Sequence, residues 1–194
     1  MVGIELIKLL GTSQNLPFHT SDLFNDIEVQ EIIDSVGSPK LEYDAGNGDH
    51  SMTKGFHREG TSFNIDNLST NITKKLFEEI HRANFQYQFD LTHLLQVLYF
   101  EYYPSGKGLV WHTDIGDKSP YYFRKLSFSL GLNDFKEYEG GEISFFIDEN
   151  YIPKIKLNKG DLLAFPSFIP HQVHPVTKGI RKNLIGFLGG KPFK

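Results

Sequence analysis

Cysteine is absent from the 194 residues. Disulfides, thiolate nucleophiles and cysteine-ligated zinc are thereby excluded, and any bound metal must be held by histidine and carboxylate. Long apolar runs are missing too. The N-terminal MVGIELIKLLG is short, is broken by Glu5 and Lys8, and lacks the layout of a secretory signal. No stretch approaches the ~20 apolar residues that span a bilayer. Positive charge is not in excess: 20 Lys and Arg against 24 Asp and Glu give a formal net charge of -4. That offers no electrostatic reason to expect nucleic acid as a partner. Together these features predict a cytoplasmic protein with neither a membrane nor a nucleic-acid partner.

What is present is aromatic and glycine-rich, with 17 Phe, 9 Tyr and 18 Gly. This composition suits short strands joined by tight turns. The length predicts a single domain over residues 1–194, with helical support to about residue 90 and a strand-rich core over about 91–190.

Residues 2–10 read as a strand or edge ribbon. Asn25 with Glu28 three residues on forms a capping arrangement, and Val29, Ile32, Ile33 and Val36 share one face, predicting a helix over 26–36 that stops at Gly37. The stretch 43–64 is polar, glycine-rich and without period; it reads as a long surface loop on the substrate side, its His50 and His57 solvated. A second helix is expected over about 70–83, with Ile72, Leu76, Phe77 and Ile80 inward and Lys74, Lys75, Glu78, Glu79 and Arg82 in water. His81 has no chemistry there. Beyond Phe85 the strands begin: 95–103, 125–133, ISFFI after Gly140-Gly141, LLAFP after Gly160-Asp161, and 183–188. Two helices ahead of many short strands predict a mainly β protein with flanking α-helices, folded as a double-stranded β-helix (jelly roll).

The centre of the chain is LQVLYFEYYPSGKGLVWHTD, Leu95 to Asp114. It reads as a buried strand, a turn, and a second strand ending in His112-Thr113-Asp114. Residues two apart on a strand share a face, so His112 and Asp114 project together. Two histidines and one carboxylate on one side of an ion leave positions open for oxygen and a co-substrate, as in non-haem Fe(II) oxygenases. The third ligand is expected in FPSFIPHQVHPVTKGIR, which offers His171 and His174; strand parity lets only one of them look inward. Arg181, ten residues after His171, has the permanent charge and planar fork that grip a carboxylate. Tyr103, in the turn before the metal strand, is placed to hydrogen-bond the same co-substrate. Trp111 sits beside the site, as pocket lining or core.

Several motifs stand in the order of a known family. AN (Ala83-Asn84), FDL (Phe89 to Leu91), YPSG, WHTD, RKLSFSLGLND, YEGGEISF and FPSFIPHQVHPVTKGIR together resemble the 2-oxoglutarate/Fe(II)-dependent dioxygenases, specifically the prolyl 4-hydroxylase-like group with the bacterial PKHD-type hydroxylases. The resemblance covers about Ala83 to Gly190. It implies His112, Asp114 and His171 as the iron ligands, Arg181 as the anchor of 2-oxoglutarate and Tyr103 as a contact to it. Ile143 takes the place of a co-substrate threonine of some relatives. It implies Fe(II) as cofactor, 2-oxoglutarate and O2 as co-substrates, and leaves open whether ascorbate is needed to keep iron reduced. The implied reaction decarboxylates 2-oxoglutarate to succinate and CO2 while hydroxylating an unactivated C–H, with a peptidyl proline in a peptide or protein as acceptor. The alternatives are a free amino acid or other small metabolite as acceptor, or a cupin-like metal-binding protein without oxygenase activity. A nucleic-acid dealkylating relative would carry a second arginine shortly after Arg181, where this chain has Lys182 and then an apolar run.

Overall fold

The computed structural model describes residues 16–36, 58–105 and 107–193. The strand expected at 2–10, the stop at Gly37, and His50 and His57 lie outside them.

The first helix, α1 (Asp26–Asp34), starts where the sequence places it. The Asn25 side chain accepts from the backbone N–H groups of Ile27 and Glu28, and the Glu28 carboxylate accepts from the Asn25 N–H at 2.8 Å. The second helix, α2 (Thr70–Tyr87), runs a turn beyond the expected end. Its last turn is fastened by tertiary contacts that periodicity does not encode: the buried Tyr87 hydroxyl donates to the carbonyls of Leu16 and Ala164 at 2.7 and 3.0 Å. Glu79, expected in water, is buried between Arg82 and the Thr20 hydroxyl. Ile72, Leu76, Ile80 and Ala83 form the inward face. Each of the larger three contributes about 1.5–3 kcal/mol by leaving water.

These side chains pack on the outer face of a six-stranded antiparallel sheet in the order β1-β9-β5-β12-β3-β2. Its strands are β1 (Phe18–Thr20), β2 (Arg58–Ser62), β3 (His93–Tyr102), β5 (Arg124–Gly131), β9 (Leu162–Pro166) and β12 (Arg181–Gly189). A four-stranded sheet, ordered β4-β10-β7-β8, consists of β4 (Leu109–His112), β7 (Ile143–Phe145), β8 (Lys154–Ile155) and β10 (His171–Val173). A small ribbon pairs β6 (Tyr138–Gly140) with β11 (Val176–Gly179). This is the expected mainly β jelly roll with helices on one side.

Part of the expected 43–64 loop is a strand. Arg58–Ser62 forms β2, an edge strand paired with β3 from Arg58 opposite Tyr102 to Ser62 opposite Leu98. Its REGTS sequence shows no alternation because only one ladder partner and one buried glycine hold it. On β3 and β12 the parity is clean. Val97, Tyr99, Leu184 and Leu188 face the helices, whereas Gln96, Leu98, Phe100 and Tyr102 line the space between the sheets with Arg181, Asn183, Ile185 and Phe187.

Candidate active site

His112 closes β4 and His171 opens β10. The two are direct partners in the antiparallel ladder, and partners share a face, so their rings meet with centroids 4.2 Å apart. Asp114 lies just past β4. The ligand atoms of His112, Asp114 and His171 lie within 4.8 Å of one another, and no other such histidine and carboxylate group occurs among the described residues. His112 Nε2 is 3.9 Å from Asp114 Oδ1, and His171 Nε2 is 3.8 Å from Asp114 Oδ2.

Both imidazoles are set by carbonyls of their own segments. His112 Nδ1 donates to Val110 O at 2.8 Å and His171 Nδ1 to Ile169 O at 3.0 Å. A carbonyl only accepts, so each Nδ1 carries the proton and each Nε2 presents its lone pair to the shared space. Burial lowers the His112 pKa, and the neighbouring His171 lowers it further against the opposing pull of Asp114. A neutral imidazole is what metal ligation requires. The donor set therefore fits one divalent cation of the kind that imidazole and carboxylate suit, iron among them.

The three residues line a cavity of about 480 Å³ between the two sheets. Across it, Arg181 is only 2% exposed, its guanidinium 4.7 Å from the centre of the Tyr102 ring. Arg181 Nη1 has no protein partner. A permanent charge buried with an unfilled donor is costly, and a ligand carboxylate offsets that cost. Gly141, at φ 71°, leaves the space beside it: a Cβ there would stand 2.9 Å from Arg181 Cδ. Buried Arg124 Nε and Asn183 Oδ1 are likewise without partners, and both residues line the same cavity. These atoms fit a polar ligand such as 2-oxoglutarate.

The structure brings together His112, Asp114, His171 and Arg181. His174 is elsewhere, bonded through Nε2 to the Ser144 hydroxyl at 2.8 Å. Ile143 lines the cavity as an apolar wall. Tyr103 is corrected: it does not line the cavity, and its hydroxyl donates to Glu101 at 2.6 Å and to Glu59 at 3.2 Å. The tyrosine on the cavity side is Tyr102, because Tyr102 is the ladder partner of Arg181. Trp111 is corrected as well. It is neither core nor lining but 40% exposed, edge-on to Phe146. The ladder steps from His112 to Leu109 against His171 to Val173, so β4 carries one extra residue and turns both Val110 and Trp111 outward.

Sequence reasoning missed Arg58, Arg124, Ser127 and Asn183, all in the cavity wall. Arg124 is buried between the rings of Phe187 and Tyr121, with Nη1 donating to the Asp114 carbonyl at 3.2 Å and Nη2 to Gln96 at 3.1 Å. The signal available for it was the charged pair Arg124-Lys125 opening a strand that is buried along its whole length.

A double-stranded β-helix carrying two histidines and an aspartate opposite a buried arginine is the arrangement of a 2-oxoglutarate/Fe(II) oxygenase. Residues 97–189, just under half of the chain, match the family model of the 2OG-Fe(II) oxygenase superfamily. The curated relatives that the chain resembles are PKHD-type hydroxylases. It is 32% identical over 146 residues to a PKHD-type hydroxylase of Synechococcus sp. (strain CC9311), covering 72% of this chain and 65% of that one. A second, from Synechococcus sp. (strain CC9902), is 36% identical over 83 residues, covering 43% of this chain and 36% of that one. A third, from Prochlorococcus marinus (strain NATL2A), is 27% identical over 178 residues, covering 89% and 78%. The chain thus spans about a third of one and two thirds of another of these relatives.

Among solved structures, a Pseudomonas putida prolyl-4-hydroxylase superposes with a TM-score of 0.67 at 16% identity, covering 94% of this chain and 99% of that one. A Trichoplax adhaerens prolyl hydroxylase, solved with a hypoxia inducible factor peptide fragment, also gives 0.67, at 17% identity over 97% and 92%. These likenesses bear on the fold. No helix among the described residues is long and apolar enough to cross a membrane.

Proposed function

We propose that this chain hydroxylates an unactivated C–H bond of a peptidyl proline, consuming O2 and 2-oxoglutarate and releasing succinate and CO2. The observation that carries the reading is the cavity itself, where the His112–Asp114–His171 cluster faces a buried Arg181 that has an unfilled donor. His112, Asp114 and His171 hold Fe(II), and Arg181 grips the far carboxylate of 2-oxoglutarate. Iron with 2-oxoglutarate supplies the oxidising chemistry when bound. The protein orients the reactants and excludes water: Leu98, Leu109, Phe165 and Val173 give the cavity dry walls. The peptidyl acceptor is supported by the PKHD-type relatives and by the prolyl hydroxylases that share the fold, one of them solved with a peptide.

One observation favours a second reading. Arg58 and Arg124 line the cavity with Arg181, more positive charge than a peptide backbone needs, and this suits a small carboxylate-bearing acceptor such as a free amino acid. Proline-containing peptides and free L-proline, offered with Fe(II) and 2-oxoglutarate, separate the two. Succinate formation coupled to the gain of one oxygen is expected with the peptides alone. Coupled turnover of free L-proline with inert peptides would replace the peptidyl acceptor by the small one, and no turnover of 2-oxoglutarate under any condition would remove the oxygenase reading.

A further inference from the structure

Asp114 differs from its two partners in what supports it. His112 and His171 sit in a ladder, whereas Asp114 lies beyond the end of β4, in a segment with no regular structure. The terminal torsion of an aspartate is broad, so a carboxylate there needs outside restraint to serve a metal. The restraint comes from the other sheet. Asp114 N–H donates to Ser167 O at 2.9 Å, and the Asp114 carbonyl accepts from Arg124. The Ser127 hydroxyl donates to Asp114 Oδ2 at 2.7 Å and lies 2.9 Å from the Ser167 hydroxyl.

The direction of this chain follows from donor counting. An ionised carboxylate only accepts, so Ser127 gives its single proton to Asp114, and Ser167 must therefore give its own to Ser127. Each bond polarises the next, and the last is a charge-assisted bond of short length. Both serines are buried, at 1% and 0% exposure, Ser127 within β5 and Ser167 just past the end of β9. A hydroxyl in such a place is costly unless it is bonded.

We infer that Ser127, backed by Ser167, is the positioning residue for the metal-binding carboxylate, and that this relay sets metal affinity. The inference rests on the metal reading of the triad. By occupying a lone pair of Oδ2, the Ser127 proton disfavours capture of the ion by both carboxylate oxygens and so keeps positions free for other ligands.

The test is titration of the full-length apo protein with Co(II), followed by visible absorption and calorimetry, with the thermal midpoint of each apo variant measured alongside. Loss of such a supporting hydrogen bond is expected to weaken Co(II) binding about 10–100-fold in Ser127→Ala. Ser127→Thr, which keeps the hydroxyl, should restore binding. Ser167→Ala leaves the last bond in place and should show a smaller loss; it also carries the test should Ser127→Ala fail to fold. Co(II) affinity unchanged in a folded Ser127→Ala, or unchanged in Ser167→Ala where that variant alone folds, overturns the inference. So does an equal loss in Ser127→Thr, or a drop in thermal midpoint with no change in affinity. Wild-type protein that binds no Co(II) overturns the metal reading together with it.

Discussion

The two ends of the cavity are finished to different degrees. At the metal end, every ligand has its supporting bond in place: Val110 O for His112, Ile169 O for His171, Ser127 for Asp114. At the opposite end, Arg181 Nη1 and Asn183 Oδ1 are buried without partners. The metal ligands are organised before anything binds, although Arg124 beside Asp114 keeps an unpartnered Nε; the Arg181 end is completed by its ligand. Affinity for metal should therefore depend on support within the protein, and affinity for 2-oxoglutarate on charge that is costly until it is met.

The largest effect belongs to the triad. Alanine at His112, Asp114 or His171 should abolish both Co(II) binding and succinate formation, while His174→Ala retains both. A His174→Ala protein without metal, beside a His171→Ala protein that keeps it, would reverse the assignment of the third ligand.

Arg181→Met should weaken 2-oxoglutarate binding by roughly ten- to a hundredfold, corresponding to about 1.5–3 kcal/mol for a charge-assisted contact. Metal affinity should stay put. The comparison is sharpened by the apo protein, whose thermal midpoint should hold or rise once a buried charge with an unfilled donor is gone. A lower apo midpoint would mean that Arg181 is already satisfied within the protein.

Ligand-induced stabilisation is next in size. With Co(II) present, 2-oxoglutarate at a hundred times its Kd should add about 2.7 kcal/mol, roughly 5–10 °C for a chain of this length. Arg181→Met should lose that shift at the same concentration. Scanning calorimetry reads both.

The pH dependence of the apo protein is smaller. His112 is held below its ordinary pKa, mainly by burial, so the unfolded chain takes up its proton at a higher pH than the folded one. Its contribution to stability is present above about pH 6.5 and is lost as pH falls through the lowered folded value. His174 shifts the same way, by burial and the nearby Lys154. His112→Asn should flatten part of this decline, and an unchanged profile would show that the imidazole does not contribute. Smallest of all, Tyr103→Phe should leave 2-oxoglutarate affinity within about twofold, since that hydroxyl bonds Glu101 rather than the cavity.

How much of this was legible beforehand depended on the range of the interaction that decides it. The capping box at Asn25 and the inward face of α2 are local, and the sequence pattern reports them directly. His112, Asp114, His171 and Arg181 were legible because their motifs come in a fixed order. The Tyr102–Tyr103 choice was not. Both tyrosines precede the same turn, and only the register that sets Arg181 opposite Tyr102 decides which one enters the cavity. Trp111 escaped for a similar reason, since one extra residue in β4 breaks the alternation from which its direction would be read. Ser127 alternates with Leu126 and Phe128 along β5, and nothing in its neighbours shows that Asp114 ends up against it. The turn of α2 ending at Tyr87 is held by Leu16 and Ala164, distant in sequence, so a helix-period pattern could not include it.

The self-directed imidazoles have a consequence for how metal leaves. Each is steered by a carbonyl two residues upstream, and β4 and β10 are bonded to each other, so the histidine pair moves as one body with the four-stranded sheet. The aspartate is tethered instead to Ser127 of the six-stranded sheet and to Ser167 just past its strand β9. A breathing motion that parts the sheets would thus split the ligand set two against one, leaving a weak pair of histidines. Metal residence time would then report the frequency of that opening, and amide exchange at Asp114, rather than at His171, would keep the same clock.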